Sequence, residues 1–477
     1  MQYIALILFP IAMAGGTFVA RRDARLVGWM GVAAIAVQLW LALTLPADLP
    51  ARVLDVSVGY GALSRLLLVV LCLASLIVAC SSVVLPVGEY WISTLLLLLG
   101  IAAAMLLLQE PLIVATLLLL ASLIGGMELV DQPVGSGMLL RPQTLALALK
   151  YLVLVALGGL FLLIGFVLAT AYEQQLATSG PALMRLVFGL LLIGTAVRLG
   201  LVPFHLWAPD LADEAPPQTI FLHLGLLSVL ALPVLLVALQ TQPQLVVGNP
   251  SGQRLLIGLG ALSALGGSLL ALLSGSQRRM LALLCVANLG LLVIGLGIGT
   301  LVGVSAAVLG ALNHVLALAL IMTALALLER PVPGRREQAG ALRERPIAAL
   351  ALLVGVLALL GVPPMSGFAA RLALLAALQE QGWPVIGAVL ASLLAMALVA
   401  GRWLHLLLLR PPELPSVRGL LSDDLARLTV IEPSYAPLWL RALVLLAGAG
   451  VIALGLWPLP VLALVEQLVG SFSFLRQ

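Results

Sequence analysis

A small set of ionisable side chains stands inside long apolar stretches of this sequence. Arg198, His223, His314 and Arg371 lie within such stretches, and Lys150 lies at the mouth of another. A charged group in a bilayer is costly, so it marks an ion or substrate path by default. Histidine exchanges protons near neutral pH, whereas the arginine guanidinium stays protonated and serves to organise water and fix the local potential. These residue types predict a proton path through the histidines or an electrostatic role for the arginines.

Carboxylates, the usual partners in a proton relay, are not expected among these groups. All twenty acidic residues fall at the ends of apolar stretches or in loops, and Glu110 and Glu128 flank the fifth stretch. A relay needs groups that accept and release protons near neutrality, so two histidines without an acid make an incomplete one. Each histidine also has a plainer interpretation, as a neutral side chain that hydrogen-bonds to a backbone carbonyl.

The apolar stretches predict an all-α polytopic membrane protein. The 477 residues are 62% hydrophobic and 9% charged, whereas soluble domains have about 25% charged residues. This composition excludes a soluble globular protein. Stretches of about 20 apolar residues can cross a bilayer as helices. Fourteen are predicted, at 2–20, 26–45, 65–86, 91–108, 111–127, 147–171, 183–202, 219–240, 254–274, 281–299, 303–328, 346–378, 384–408 and 442–465.

The cysteines and basic residues argue against metal, disulfide and nucleic-acid-binding sites. Cys72, Cys80 and Cys285 lie in apolar stretches without paired metal-ligand spacing, so neither disulfides nor metal clusters are expected. The chain has one lysine against 23 arginines, and nothing in their placement resembles a nucleic-acid-binding patch. We expect no nucleic-acid partner, and the lipid bilayer is the expected surroundings.

The loop arginines predict the orientation in the membrane. The odd-numbered loops between the predicted spans hold sixteen basic residues, and the even-numbered loops hold four. Because basic residues are retained on the cytoplasmic side, the first loop is predicted to be cytoplasmic and both termini outside. The segment 410–440 is then interpreted as a cytoplasmic linker.

One motif is specific enough to suggest a family. Residues 194–217 read GTAVRLGLVPFHLWAPDLADEAPP, which places PFHLWAPD directly after a membrane helix that contains Arg198. This string resembles the antiporter-like membrane subunits of respiratory complex I (NADH-quinone oxidoreductase) and the related Mrp-type antiporter and hydrogenase subunits. The matching residues are Pro203, Phe204, His205, Trp207, Pro209 and Asp210. Further resemblances are ALKYLVL (148–154), SQRRMLA (276–282), LNHVLALAL (312–320) and GVPPMSGFAARL (361–372).

The resemblance implies two inverted five-helix repeats, at about 90–240 and 254–408. It also implies that helices 7 and 12 are discontinuous and that each contains a basic residue. Arg198 is followed by Pro203 in helix 7, and Arg371 follows Gly361, Pro363, Pro364 and Gly367 in helix 12. A break in a membrane helix frees backbone groups that can hold water and orient a charge. The alternative is that the prolines only kink packed helices.

The departures from the family pattern concern its titratable residues. By spacing from Glu110, the family's fifth-span glutamate falls near Leu119 or Leu120, and arginine replaces lysine at Arg198 and Arg371. Leu227 or Ser228 stands at the eighth-span lysine position, and Leu318 stands at the eleventh-span lysine position. These differences predict a subunit whose own proton conduction is impaired.

The resemblance implies a membrane-arm subunit that couples electron transfer in partner subunits to proton translocation. The chain itself is expected to hold no cofactor; flavin, iron–sulfur clusters and quinone are expected in its partners. The alternatives are a subunit of a cation/proton antiporter, of a membrane-bound hydrogenase or of an inorganic carbon uptake complex, and a non-conducting structural paralogue. In each case the expected location is a prokaryotic cytoplasmic membrane.

Overall fold

The fold is a bundle of membrane-length helices. The computed structural model describes residues 2–46, 51–53, 56–85, 87–108, 110–130, 142–171, 181–245, 249–329, 341–408 and 436–475. The helices are α1 Gln2–Val19, α2 Ala24–Thr44, α3 Ala62–Val84, α4 Trp91–Leu107, α5 Pro111–Glu128, α6 Pro142–Ala171, α7 Pro181–Leu199, α8 Trp207–Glu214, α9 Pro217–Ile220, α10 Ala231–Thr241, α11 Pro250–Leu273, α12 Gln277–Ile298, α13 Leu301–Leu328, α14 Ala341–Glu344, α15 Pro346–Leu360, α16 Gly367–Ala377, α17 Trp383–Leu408, α18 Leu438–Leu456 and α19 Pro458–Val469.

Fourteen crossings account for most of these helices. Eleven described helical segments are long and apolar enough to span a membrane, and α1, α4 and the pair α15–α16 supply three more. The prediction of an all-α membrane protein with about fourteen spans is therefore confirmed. A hairpin of two antiparallel strands, β1 Ala51–Val53 and β2 Val56–Val58, was not predicted from the sequence.

The last predicted span, 442–465, is wrong as a single helix. In the structure α18 ends at Leu456 and α19 begins at Pro458. Proline has no backbone N–H and its ring obstructs the preceding turn, so a helix tends to stop before it. The end of α18 packs directly against span 12, because a Cβ on Gly455 would lie 2.1 Å from the carbonyl oxygen of Pro364.

The two predicted breaks are present. Helix 7 consists of α7, a 3₁₀ turn at Phe204–Leu206 and α8, and helix 12 consists of α15 and α16. Gly361 ends α15 with φ of 78°, a conformation that residues with a Cβ rarely adopt. The division into repeats at 90–240 and 254–408 stays a prediction, and most of the 410–440 linker lies outside the described residues.

Burial divides the bundle into a centre and a periphery. The eighth span, Pro217–Thr241, and helices α12 and α13 are almost wholly covered by other helices, whereas α2, α17 and α18 expose most of their surface. The exposed faces hold large apolar side chains such as Leu394 and Leu446, which suits contact with lipid. The central spans are the ones that contain His223 and His314.

Three arginines join helix ends on the side predicted to be cytoplasmic. Arg278 donates to two carbonyls at the end of α8, Arg345 to two at the end of α13, and Arg402 to two at the end of α11, all at 2.8–3.1 Å. The last carbonyls of a helix have no partner within it and carry its negative dipole end. We name Arg278, Arg345 and Arg402 the rim arginines.

Candidate functional site

Arg198 is buried beside the break in helix 7. It stands in the last turn of α7, before Gly200 (φ 62°) ends the helix, and its side chain is 2% exposed. None of its guanidinium nitrogens donates a hydrogen bond to an atom in the described part of the chain. Tyr151 and His223 lie nearby. The structure thus brings Arg198 and His223, two of the predicted site residues, together.

Aromatic rings cover this site on one side. The ring of Tyr151 meets the ring of His223 edge-on, with centroids 4.7 Å apart. The same Tyr151 ring lies 5.1 Å from the ring of Trp207, a residue of the PFHLWAPD motif that is fully buried at the start of α8. The motif therefore contributes a packed wall to the site.

A carboxylate does join this cluster, which corrects the expectation that none would. Glu128 is the last residue of α5 and is 5% exposed. Its Oε1 accepts a hydrogen bond of 2.9 Å from the Thr219 hydroxyl, and its Oε2 lies 3.7 Å from Nε2 of His223. Gly125, one turn earlier, makes room for the histidine, because a Cβ there would lie 3.2 Å from its Cε1. Glu128 and His223 form a buried acid–base pair.

The assignment of the family's fifth-span glutamate to the position of Leu119 or Leu120, made by spacing from Glu110, stays a prediction. Leu120 is 46% exposed, on a face of the bundle where a carboxylate would meet lipid. Leu119 packs against Gly159 of α6. Sequence reasoning missed Glu128 because it stands at the end of a span, and the end was equated with the membrane surface. Thr219 and His223 lie against its carboxylate instead.

A second cluster surrounds His314 in the centre of the bundle. The residues Phe221–Leu227 form a π-helical turn, an element that is rare and often marks functional sites. The carbonyl oxygen of Leu224, within this turn, lies 2.8 Å from Nε2 of His314. On the other side of the ring, Nδ1 lies 2.9 Å from the amide nitrogen of Asn288. Because that amide nitrogen can only donate, Nδ1 accepts and Nε2 carries the proton that is given to Leu224.

Arg371 is held at the break in helix 12 without an acid. Its Nε donates to the carbonyl of Leu360 and its Nη2 to the carbonyl of Leu359, each at 3.0 Å. A further bond from Nη2 reaches Oδ1 of Asn288. The two carbonyls are free because α15 ends at Leu360. Arg371 is 6% exposed and lies in the interior, as the sequence predicted for this residue.

The break itself is fixed by contacts of a neighbouring carbonyl, that of Ala358, and of Ser366. Asn313, next to His314, donates to the carbonyl of Ala358 at 2.8 Å and accepts from the Ser366 hydroxyl at 2.6 Å. Gly367 lies so close to this contact that a Cβ would stand 2.2 Å from the Ala358 oxygen. Gly361, Pro363, Pro364 and Gly367 therefore shape the loop that positions Arg371, as their spacing predicted.

The two clusters lie on either side of the π-helical turn, whose backbone connects them, and we name their residues together the polar line. From one end it contains Glu128, His223, the carbonyl of Leu224, His314 and Asn288, and it ends at Arg371. Leu224 follows His223 in the chain, so the π-helical turn links the two histidines. The positions that the resemblance assigns to lysines are Leu227 or Ser228 in the eighth span and Leu318 in the eleventh, and all three residues are buried. Ser228 donates to the carbonyl of His223 at 3.0 Å.

The remaining predicted residues lie at the rim, apart from the polar line. Lys150 pairs with Asp210 of the motif at 2.6 Å, and both side chains are more than a third exposed. Arg279 contacts Asp210 and Asp213. His205 lies in the 3₁₀ turn after Pro203, and its Nδ1 is buried without a partner among the described residues. Lys150 and Asp210 therefore tie α6 to α8.

Metal binding finds no support in the residues that the structure describes. Within those ranges no three His, Cys, Asp or Glu residues lie close enough to share an ion. Cys72, Cys80 and Cys285 are free thiols and are buried.

Known proteins resemble this chain over most of its length. A family model described as NADH:quinone oxidoreductase/Mrp antiporter, TM, matches residues 138–397, more than half of the chain. The NADH-quinone oxidoreductase subunit 14 of Thermus thermophilus is 33% identical over 338 residues, which are 68% of this chain and 70% of that protein. The NADH-quinone oxidoreductase subunit N of Ectopseudomonas mendocina is 32% identical over 283 residues, and the match spans only 56% of its length.

Solved structures share the fold. A chain of the respiratory complex I from Thermus thermophilus, solved with bound aureothin, superposes with a TM-score of 0.73 at 27% identity and covers 97% of this chain and 99% of that one. A chain of the Mrp complex from Dietzia sp. superposes with a TM-score of 0.83 at 21% identity and covers 99% and 98%. The family match and the similarity to subunit 14 agree with the motif and the two broken helices, and the chain belongs to the NADH:quinone oxidoreductase/Mrp antiporter transmembrane family.

Proposed function

We propose that this chain is an antiporter-like membrane-arm subunit of a complex I-type NADH-quinone oxidoreductase. In this proposal the partner subunits hold flavin, iron–sulfur clusters and quinone and carry out electron transfer. This chain translocates protons across the prokaryotic cytoplasmic membrane in response. The similarity to subunit 14 of Thermus thermophilus supports the assignment to this branch of the family.

The observation that carries proton translocation is the buried contact between Glu128 and His223. The prediction of impaired conduction rested on the replacement of the family's glutamate and lysines, with only two histidines left to exchange protons. Glu128, 3.7 Å from Nε2 of His223, is a titratable group that this prediction did not count. A carboxylate and an imidazole within 4 Å provide two groups that can pass one proton between them. The polar line then extends from this pair to His314 and Asn288. We therefore propose that the subunit conducts protons and is not a non-conducting structural paralogue.

The two arginines have a different role in this proposal. A guanidinium cannot release its proton in a protein, so neither Arg198 nor Arg371 is a carrier. Arg198 is buried near His223 and contributes a fixed positive charge beside the acid–base pair. Arg371 is fixed by carbonyls and Asn288 and sets the potential at the far end of the line.

A matched pair of variants tests the proposal. Glu128→Gln keeps the size of the side chain and an oxygen for Thr219 but removes the proton-accepting carboxylate. Glu110→Gln, at the exposed start of the same helix, is the control. In the complex reconstituted into vesicles, we expect Glu128→Gln to lower the number of protons pumped per electron, while Glu110→Gln leaves it unchanged. An unchanged ratio in both Glu128→Gln and His223→Ala, with normal electron transfer, would contradict a conducting subunit.

A second candidate, the subunit of a cation/proton antiporter, is favoured by the fold shared with the Mrp chain. The two functions differ in whether transport depends on a metal cation. Vesicles that contain the complex should acidify on addition of NADH in sodium-free medium if the first proposal is correct. Acidification that requires a sodium gradient and ignores NADH would favour the antiporter.

We further propose that the rim arginines face the cytoplasm and both termini face outward, as the loop charges indicate. Two described surface positions give a direct test. Gly275, between α11 and α12, should be labelled as a cysteine only from the cytoplasmic side, and Ser251, at the start of α11, only from outside. The opposite labelling pattern would invert the orientation.

A further inference from the structure

A groove of about 560 Å³ lies between α1, α4 and α5. Its lining residues on α1 and on α4 recur at the spacing of one helix face, from Phe18 back to Ile11 and from Tyr90 to Leu97. Because a helix rises about 1.5 Å per residue, each of these faces is about 10 Å long. Phe18 and Tyr90 stand at the helix ends that are predicted to be cytoplasmic. The groove is therefore a slot that runs from this end along the helix axes.

The wall of the groove is mainly apolar, and its polar side chains are turned to partners in the protein. The hydroxyl groups of Ser93 and Thr17 lie 2.9 Å apart, and Glu128 accepts a hydrogen bond of 2.9 Å from Thr219. The other carboxylate oxygen of Glu128 is closed to solvent and lies beside His223. The groove therefore suits an apolar occupant.

The groove opens on the periphery of the bundle, where the protein meets lipid. At its edge Phe18 is 46% exposed and Met127 is 64% exposed. Gly15 is an exposed residue of α1, and a Cβ there would meet no atom within 4 Å. A hydrocarbon chain can therefore enter the groove sideways from the bilayer.

An arginine and two aromatic rings stand at the mouth of the groove. The rings of Phe18 and Tyr90 are stacked with centroids 5.6 Å apart, and the Arg21 guanidinium lies 4.6 and 5.7 Å from these centroids. Tyrosine is enriched at the membrane–water interface, and an arginine there keeps its charged group in the head-group layer. Nη1 of Arg21 donates to the Phe18 carbonyl at 3.2 Å, and its Nε lies 3.7 Å from Glu89, too far for a hydrogen bond. The guanidinium thus keeps N–H groups that can bind a phosphate.

The charge around the mouth is positive. Arg22 and Arg25 follow Arg21 and are exposed, so that three arginines outnumber the carboxylates of Asp23 and Glu89. Basic residues next to a membrane helix attract anionic lipid head groups. We propose that the groove binds one acyl chain of an anionic phospholipid, whose phosphate is held by Arg21. This site does not depend on the proposed proton transport.

A photoreactive lipid tests the site in the intact complex in nanodiscs. The probes are phosphatidylglycerol with a diazirine in one acyl chain and phosphatidylcholine with the same chain, and mass spectrometry quantifies the labelled peptide of α4. We expect at least fourfold more labelling by phosphatidylglycerol. Gly15→Phe fills the groove, whereas Gly258→Phe fills equally open space at an exposed glycine of α11. Labelling should fall at least fourfold in Gly15→Phe and stay unchanged in Gly258→Phe.

The head group is tested separately. Arg21→Gln removes the charge at the mouth, and Arg254→Gln removes one at an exposed position of α11. We expect phosphatidylglycerol to label Arg21→Gln no more than phosphatidylcholine does, and Arg254→Gln to behave as the parent. Equal labelling by the two lipids in the parent, or full labelling in Gly15→Phe, would mean bulk lipid only and would overturn the proposal. Absence of lipid labelling, with a photoreactive residue at Met127 that crosslinks to a partner subunit, would show a protein interface and would overturn it as well.

Discussion

Gly455, at the end of α18, tests the packing of the last membrane helix on the break in helix 12. A Cβ at this position would lie 2.1 Å from the oxygen of Pro364 and 2.2 Å from the carbonyl carbon of Met365. Ordinary contacts begin at 3.4 Å, so Gly455→Ala demands a movement of more than 1 Å between two backbones. Neither atom belongs to a flexible side chain that could turn away.

The expected size follows from two opposing terms. Overpacking in a dense core costs about 1–3 kcal/mol. Replacing glycine by alanine in a helix gains about 0.5–1 kcal/mol. A Cβ on Gly448, seven residues earlier on α18, meets no atom within 4 Å. Gly448→Ala should therefore show only the gain in helix stability, without a steric cost. The difference between the two variants isolates the steric term, about 1–3 kcal/mol in favour of Gly448→Ala.

The measurement is the free energy of unfolding of the subunit in bicelles by steric trapping. We expect Gly448→Ala to be at least as stable as the parent and Gly455→Ala to be less stable. Gly455→Ala should also lower proton pumping, because Pro364 and Met365 belong to the loop that positions Arg371. Equal stabilities of the two variants would refute the close packing of α18 on this loop.

Two other matched pairs probe the polar line. Arg371→Met leaves two interior carbonyls without a donor, at about 1–3 kcal/mol each before relaxation, whereas Arg402→Met frees two carbonyls at a half-exposed edge where water replaces the donor. The thermal unfolding temperature of the complex should therefore fall more for Arg371→Met than for Arg402→Met. Equal losses would contradict the interior placement of Arg371. Gly125→Leu pushes into the space of His223 and should lower the number of protons pumped per electron, whereas Gly258→Leu points into open space and should not. Normal proton pumping in both variants would contradict the role of His223.

The sequence predicts most of the architecture because hydrophobic length and proline have direct structural consequences. An apolar run of membrane length must form a helix, since the bilayer offers no other partner for its backbone groups. Pro203 and the Gly361–Gly367 segment therefore identify the two helix breaks. Arg198 and Arg371 stand out as the charged residues next to them. The single error of this kind, the last span, comes from Pro458 within an apolar run.

The candidate site was only partly predictable because burial depends on neighbours that are distant in the chain. Glu128 stands at a helix end, and nothing in the neighbouring sequence shows that Thr219 and His223 cover it. Asn288 gives even less signal, since its amide carries no charge and does not stand out in a search for ionisable groups. Its contacts with His314 and Arg371 exist only once α12, α13 and α16 are packed together.

The rim arginines act both during membrane insertion and in the folded protein. During insertion their charge holds the loops on one side of the membrane, and lysine would serve equally well. After folding, Nη1 of each one bridges two carbonyls at a helix end. Arg278 also directs Nε and Nη2 to the carboxylate of Glu329, a forked set of donors that a lysine ammonium does not offer. Exchange of all three for lysine should therefore preserve the orientation yet loosen the connections between helix ends. A chain with 23 arginines and one lysine has the composition that such double use favours.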